Sequence, residues 1–273
     1  MTEVNRRWVE ARGGQSVALA TESVGCGQPF VWGHSLMGSM AQDFAGGVLA
    51  WRELADVAQV IRFDARGHGQ SGSEGEPQDY RWDNLARNMW QVADSYTEEK
   101  VILGGASMGS AAALYAACQR PEQVKGLVLV IPPTAWELRR RMKRNYRVMA
   151  RIVELTCGLP LRLLRFIPDA KEGDSFHQKM LATLAGELPG ANPRGVAGAL
   201  RGASLSDLPS LEELEKLSMP VLILAWPDDT VHPLSVAEQL HSRLQNSQLE
   251  VAQHPDDPYR WPKLVRDFIS SQQ

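Results

Sequence analysis

Two short stretches of the sequence place a serine where it could act as a nucleophile. Ser107 is the centre of GASMG (105–109), a complete G-x-S-x-G, and Ser35 is the third residue of GHSLM (33–37). GASMG follows an apolar run and precedes a helical pattern, as the tight turn of a nucleophile elbow requires, whereas Met37 stands where GHSLM would need glycine. The sequence therefore predicts Ser107 as the nucleophile. The alternative is that Ser107 only caps the following helix.

A serine hydroxyl reacts readily when a base takes its proton, and that base is most often a histidine oriented by a carboxylate. Downstream of Ser107, the last part of the chain supplies five such groups: Asp228, Asp229, His232, His241 and His254. His241 lies inside a helical pattern and is more simply a surface residue. His254 follows the predicted last strand, at 247–253. The residues by themselves leave the choice among the others open.

The elements that must position these groups alternate along the chain. Short apolar runs predict strands at 16–23, 29–33, 58–64, 101–105, 124–133 and 219–226. Helical patterns lie between several of them, at 83–96 and 107–120 for example. Continuous apolarity is typical of strands that are covered on both faces. The alternation therefore predicts an α/β fold with a mostly parallel central sheet flanked by helices.

Residues 134–208 interrupt this alternation, because they contain no convincing strand pattern. We expect a helical cap here, inserted over the carboxyl-terminal edge of the sheet. The core would then comprise residues 1–133 and 209–273. Within the cap, residues 136–155 form a helical pattern with four apolar side chains close to one stripe: Leu138, Met142, Met149 and Ile152.

The first half of this insertion is strongly basic. Residues 134–171 hold three acids, Glu137, Glu154 and Asp169, against ten lysines or arginines, at positions 139, 140, 141, 143, 144, 147, 151, 162, 165 and 171. Such an excess is typical of a solvated face or of a contact with an acidic partner. It would also suit an anionic substrate steered by arginine. Apolar residues such as Trp136 would either line an acyl pocket or hold the cap down.

The composition narrows the class of protein. The chain has 273 residues, 44% of them hydrophobic, and a net charge of -3, which is ordinary for a soluble globular protein. No run approaches the ~18 apolar residues of a membrane span. We expect a cytoplasmic protein that binds neither nucleic acid nor a membrane, and a homo-oligomer stays open. The cysteines, Cys26, Cys118 and Cys157, are expected to be buried thiols rather than a disulfide framework or a zinc site.

Four stretches together resemble the α/β-hydrolase fold family of serine esterases, lactonases and meta-cleavage-product hydrolases. They are HSLMGS (34–39), FDARGHGQSG (63–72), the GASMG elbow and ILAWPDDTVHP (223–233). The resemblance implies the α/β-hydrolase fold, with a helical cap inserted after strand 6. It also implies the chain order nucleophile, acid, base.

On this resemblance, the triad is Ser107, Asp229 and His254. Asp229 keeps the motif's spacing to the proline that ends the fourth stretch, whereas Asp228 stays as an alternative acid. His254 falls in the loop where the family's catalytic histidine lies, and His232 falls where the family has a variable residue.

The resemblance also assigns the oxyanion hole to the backbone N–H groups of Leu36 and Met108. Ser35 and Trp226 both stand where the family usually has glycine. If the first of these positions needs a positive φ, serine would be strained there. The candidate substrate-binding residues are His34, Ser35, Trp136 and Trp226.

The expected activity is hydrolysis of a small carboxylic ester or lactone, an anionic one included, through an acyl-enzyme and without a metal or cofactor. One alternative is a C–C bond hydrolase of the meta-cleavage-product type that uses the same three residues. Another is a non-hydrolytic ligand receptor on the same fold, since a fold does not guarantee turnover.

Overall fold

The computed structural model of the protein describes residues 4–12, 14–41, 51–167, 176–227 and 229–273. Among these residues, eight strands form one sheet in the order β1-β2-β4-β3-β5-β6-β7-β8. The strands are β1 (Asn5–Ala11), β2 (Val17–Val24), β3 (Gln28–Gly33), β4 (Ala58–Phe63), β5 (Val101–Ala106), β6 (Val124–Val130), β7 (Val221–Ala225) and β8 (Ser247–Val251). β2 runs antiparallel to β1 and β4, and the neighbouring pairs from β4 to β8 are all parallel.

Helices follow most of the strands. They are α1 (Trp82–Tyr96), α2 (Met108–Gln119), α3 (Trp136–Leu155), α4 (Leu159–Leu163), α5 (Phe176–Glu187), α6 (Pro193–Leu205), α7 (Leu211–Leu214), α8 (Leu234–Arg243) and α9 (Trp261–Ser271). The prediction of a mostly parallel sheet flanked by helices is confirmed.

Alternate residues of the strands point to two separate cores. In β3, Val31 packs into the core that contains α1, α2 and α8, whereas Phe30 and Trp32 pack into the core that contains α9. The sheet is therefore covered on both faces, which explains why its central strands are continuously apolar. β1 was not predicted from the sequence, because it is an edge strand in which only Val9 and Ala11 are buried.

The described residues between β6 and the start of α7 form helices α3 to α6 and no strand. The division of the chain into a core and a cap of 134–208 stays an interpretation. Arg139 of α3, within the helical region, is fully buried. Its guanidinium donates to the carbonyl oxygens of Ala203 (2.8 Å) and Ser206 (3.2 Å) and lies 4.1 Å from the ring centroid of Trp82 in α1.

The buried face of α3 contains Arg139 and does not coincide with the apolar stripe. The buried residues of α3 are Arg139, Tyr146, Ala150 and Val153. The predicted apolar stripe points largely outward instead, with Leu138, Met149 and Ile152 each 40% exposed or more. A cation can occupy the buried face because carbonyl oxygens and aromatic rings surround it.

Two further expectations from the sequence concern the three cysteines and membrane-spanning helices. The cysteines are unpaired as expected, but Cys26 and Cys157 are exposed and Cys118 is half-buried, so the prediction of buried thiols is wrong. Among the described residues, no helix has both the length and the apolar character that crossing a membrane requires.

Candidate active site

Ser107 lies on the sharp turn between β5 and α2. Its backbone has φ 49° and ψ -107°, a conformation that costs energy in any residue other than glycine. The turn brings Gly109 directly against Gly33 of β3, so a Cβ built on Gly109 would lie 1.9 Å from the Gly33 carbonyl oxygen. Backbone packing therefore requires glycine at the second position after the serine. The Ser107 side chain does not cap α2, which removes the capping alternative.

The Ser107 hydroxyl is hydrogen-bonded to a histidine, and that histidine is hydrogen-bonded to a carboxylate. Ser107 Oγ lies 2.8 Å from His232 Nε2, and His232 Nδ1 lies 2.7 Å from Asp229 Oδ2. Each side chain is largely buried, with 6% of Ser107 exposed and 14% and 13% of the His232 and Asp229 side chains. The three groups form one continuous chain of hydrogen bonds in a nearly dry setting.

The protonation of this chain follows from Asp229. Burial alone would raise the pKa of its carboxyl, but hydrogen bonds from His232, from the Trp226 indole and from the Val231 amide outweigh burial and hold the pKa well below its usual range. Asp229 is therefore a carboxylate at neutral pH and can only accept. His232 Nδ1 must carry the proton that it donates, which leaves the Nε2 lone pair directed at the serine hydroxyl.

Asp229 and His232 are held by their own short loop after β7. Asp229 Oδ1 accepts hydrogen bonds from the amides of Val231 (2.7 Å) and His232 (3.2 Å). The Val231 carbonyl in turn accepts from the Thr134 amide at 2.9 Å, just before α3. The start of the helical region thus fixes the loop that carries the acid and the histidine.

Trp226 makes a further contact to the acid. Its indole Nε1 donates to Asp229 Oδ2 at 3.0 Å. The indole also stacks on Trp261 of α9, with ring centroids 5.5 Å apart. The tryptophan at a position where glycine was expected therefore supports Asp229 from a buried position, and its contact with substrate stays a prediction.

The structure does not bring His254 to Ser107. His254 follows β8 as expected, but it is exposed, and its amide donates to Asp257 Oδ2 at 2.9 Å within the same turn. His232 takes the place that was predicted for His254. The signal in the sequence was the pair Asp229 and His232, three residues apart in one post-strand loop. Asp228, the alternative acid, lies outside the described residues.

Two backbone N–H groups, one in the loop after β3 and one at the elbow, are the predicted donors of the oxyanion hole. Within the described residues, neither the Leu36 amide nor the Met108 amide has a hydrogen-bond acceptor. The positive φ of this loop belongs to Met37 (66°) and not to Ser35, so serine is not strained at its position. The Ser35 carbonyl accepts from the Gly38 amide at 2.9 Å, which closes the turn.

Two buried histidines shape this loop. His34 Nδ1 donates to the Ser35 carbonyl (2.8 Å) and its Nε2 accepts from the Ala65 amide (2.9 Å). His68 Nε2 accepts from the Met37 amide at 3.2 Å, and the two rings lie 4.9 Å apart. Burial lowers the pKa of His34 to about 4 and that of His68 to about 3, so both are neutral at pH 7. Both ring nitrogens of His34 are engaged by the backbone, and the substrate-binding role of His34 stays a prediction.

The segment FDARGHGQSG supports the same loop through Asp64. Its carboxylate accepts hydrogen bonds from the amides of Met40 and Gln70, both at 2.8 Å. Burial raises the pKa of Asp64. Two of the motifs that identified the family in the sequence therefore hold each other in place.

The remaining predicted substrate contacts stay predictions. Trp136 is half-buried, and its indole N–H donates to the Pro209 carbonyl at 3.1 Å. Ser35 is half-buried within the loop after β3. No group of three or more metal-ligating side chains is found within the described residues.

A cavity of about 650 Å³ lies beside this loop, away from the elbow. The described residues that line it include Met37, Asp64 and His68 but neither Ser107 nor His232. The cavity reaches the loop after β3 from the side of β2 and β4.

Comparison with known proteins places this geometry in context. A family model described as alpha/beta hydrolase fold matches residues 28–257. The 3-oxoadipate enol-lactonase 1 of Acinetobacter baylyi is 26% identical over 225 residues, which are 80% of this chain and 81% of that enzyme.

Solved structures share the fold over nearly the whole chain. A thermophilic esterase from Thermogutta terrifontis superimposes with a TM-score of 0.68 at 23% identity, covering 98% of this chain and 97% of the esterase. A structure from a study of carboxylesterases of the thaumarchaeon Nitrososphaera gargenis gives a TM-score of 0.75 at 19% identity, covering 97% of each chain.

Proposed function

Because the chain belongs to the α/β-hydrolase family, we propose that it is a serine hydrolase that cleaves a small carboxylic ester or lactone. The observation that carries this proposal is the hydrogen-bonded chain from Ser107 through His232 to Asp229. The order of the three residues along the sequence is the order that this fold uses. His232 replaces the predicted His254 as the proposed base.

The reaction begins when Ser107 Oγ attacks the acyl carbonyl while His232 Nε2 takes the hydroxyl proton. The resulting imidazolium is stabilised by the Asp229 carboxylate. His232 then protonates the leaving oxygen, and an acyl-enzyme remains on Ser107. A water molecule that gives its proton to the same nitrogen releases the acid and restores the serine.

The negative charge of the tetrahedral intermediate would be met by the amides of Leu36 and Met108. Their lack of acceptors within the described residues supports this role, since an oxyanion hole needs donors that are not already engaged. The neutral, buried His34 and His68 hold the first of these amides through the loop contacts described above.

The substrate class is supported by the names of relatives. One curated relative is an enol-lactonase, and structural neighbours include esterases. The basic residues of α3 give no support for an anionic substrate. Arg139 is engaged by carbonyls and rings, and Arg140, Arg144 and Arg147 are exposed.

The test is covalent labelling with a fluorophosphonate, read by intact mass and peptide mapping. The wild-type protein is expected to gain one adduct, on Ser107, because only an activated serine reacts rapidly. Ser107→Ala should gain none. Ser242→Ala, which removes an exposed hydroxyl on α8, is the matched control and should label like the wild type. Absence of an adduct, or an adduct on another serine, would contradict the proposal and favour a non-hydrolytic receptor.

Trp226→Phe tests the support of the acid. Phenylalanine keeps an aromatic ring beside Trp261 but removes the N–H that donates to Asp229. We expect kcat/KM for an ester substrate to fall about tenfold, the effect of one hydrogen bond to a charged group.

Trp261→Phe is the control for that variant, since it alters the stack and leaves the indole donor of Trp226 in place. Its kcat/KM should stay within about twofold of the wild-type value. An unchanged kcat/KM in Trp226→Phe would mean that the indole only fills space.

A further inference from the structure

Helices α3 and α4, with the turn that follows them, carry a solvent-facing surface that neither the core nor the proposed catalytic site uses. Its large apolar side chains are between 46% and 82% exposed: Val148, Ile152, Leu155, Leu159, Leu163 and Phe166. Exposed arginines lie among them: Arg141, Arg144, Arg147, Arg151, Arg162 and Arg165. We call these twelve residues the basic apolar surface. Scattered exposed apolar residues are ordinary, but a run of this kind within twenty residues marks a contact site.

The two kinds of side chain are arranged side by side on α3. At 100° per residue, Val148, Ile152 and Leu155 fall within one narrow strip opposite the buried Tyr146 and Val153. Arg144, Arg147 and Arg151 form a second strip, directly beside the apolar one. On the same projection Arg141 falls within the apolar strip, so the solvent face of the helix carries both apolar and cationic side chains. α4 adds two exposed leucines, Leu159 and Leu163, and an exposed arginine, Arg162.

The positive charge of this surface is not neutralised by the protein. Within the described residues, none of its arginines has a carboxylate at ion-pairing distance. Glu154, an acid of the same helix, is paired with Arg201 of α6. The chain as a whole has a net charge of -3, so the excess is local. The surface therefore attracts an anionic partner that also accepts apolar side chains.

We propose that the basic apolar surface docks the protein on a lipid bilayer that contains anionic lipids. Leucine, isoleucine and phenylalanine side chains enter the boundary between headgroups and acyl chains, and arginine stems lie along it with their guanidinium groups among the phosphates. Arg165 already lies 4.8 Å from the ring centroid of Phe166, which lets the cation and the ring reach the interface together. The proposal replaces the sequence-based expectation that the chain binds no membrane.

Charge favours the bilayer over a second copy of the chain. A two-fold symmetric contact through this surface would place its arginines opposite one another, and like charges across an interface are unfavourable. A folded acidic protein would have to match the cations and leucines at fixed positions. A bilayer presents phosphate groups and acyl chains in a fluid arrangement that needs no such match.

The experiment is co-sedimentation of the full chain with vesicles. One set contains phosphatidylcholine, and the other contains phosphatidylcholine and phosphatidylglycerol in equal amounts. We expect binding to the anionic vesicles, weaker binding as salt screens the charges, and little binding to the neutral ones. This readout does not depend on hydrolytic activity.

Three variants separate the contributions. Arg144→Gln/Arg147→Gln/Arg151→Gln should weaken binding by about a hundredfold, from the loss of three cations near the surface. Leu155→Ser/Leu163→Ser/Phe166→Ser, which keeps the charge, should weaken binding by about tenfold. Arg87→Gln/Lys100→Gln/Lys216→Gln makes the same charge change at exposed sites elsewhere and should bind like the wild type.

Several outcomes would overturn the proposal. One is no sedimentation with anionic vesicles, and another is an equal loss in the control variant, which would indicate non-specific adhesion. Unchanged binding by the apolar variant would mean that surface charge alone holds the protein on the vesicle, without insertion of apolar side chains. A dimer in solution that the apolar variant dissociates would assign the surface to a second copy. Circular dichroism of each variant confirms that the fold is retained, which is expected because every changed side chain is exposed.

Discussion

His232→Ala is expected to lower kcat/KM for an ester substrate by about four orders of magnitude or more, the loss typical of removing the base from a serine triad. The imidazole is the group that links Ser107 Oγ to Asp229, at 2.8 Å and 2.7 Å. Without it the serine keeps its proton, and the carboxylate has no partner to orient. Steady-state kinetics with a chromogenic ester measures the effect.

His254→Ala is the matched control, because it removes an imidazole from the loop in which the family's histidine was expected. That side chain is exposed, and His254 contacts Asp257 through its backbone amide, so the variant should retain activity within about twofold. The opposite result, a large loss in His254→Ala and a small one in His232→Ala, would return the base to the predicted position and reject the arrangement described here.

The contrast between the two histidines shows where reading the sequence succeeds. Strands β2 to β8, helix α3 and the elbow at Ser107 follow from local patterns, since apolar periodicity and the glycines of a tight turn are encoded within a few residues. The proposed acid is equally local. Asp229 lies four residues after the end of β7 and accepts hydrogen bonds from the amides of its own loop.

The base could not be predicted in the same way. Both His232 and His254 follow a strand of the same sheet, and their order relative to Ser107 is the same. The choice depends on the path of the loop after β7, which the Thr134 amide fixes through Val231. That contact joins two residues that lie about a hundred positions apart in the sequence, so no local pattern contains it.

Arg139 gives a second case of the same limit. A helical pattern rich in arginine predicts that the apolar stripe is the buried one. The structure buries Arg139 instead, because carbonyl oxygens near the end of α6 and the ring of Trp82 surround the cation. Those partners come from two other helices, and their convergence on one side chain is a property of the folded chain.

Gly109→Ala is expected to destabilise the protein by more than about 3 kcal/mol and to abolish activity, which places it at the severe end of overpacking substitutions. The added Cβ would lie 1.9 Å from the Gly33 carbonyl oxygen and 2.4 Å from its carbonyl carbon. Both atoms belong to the backbone of β3, which is paired with β4 and β5, so they cannot move aside as a side chain would. Urea unfolding measures the loss of stability.

Gly186→Ala is the matched control for this substitution, because it makes the same chemical change within α5 at an exposed position with no atom within 4 Å of the new Cβ. Alanine favours a helix over glycine by about 1 kcal/mol, so this variant should be as stable as the wild type or slightly more so. If Gly109→Ala unfolded at the same urea concentration as Gly186→Ala, the close approach of the elbow to β3 would not exist in solution. The hydroxyl of Ser107 would then have no fixed turn to hold it against His232, and the proposed mechanism would lose its geometric basis.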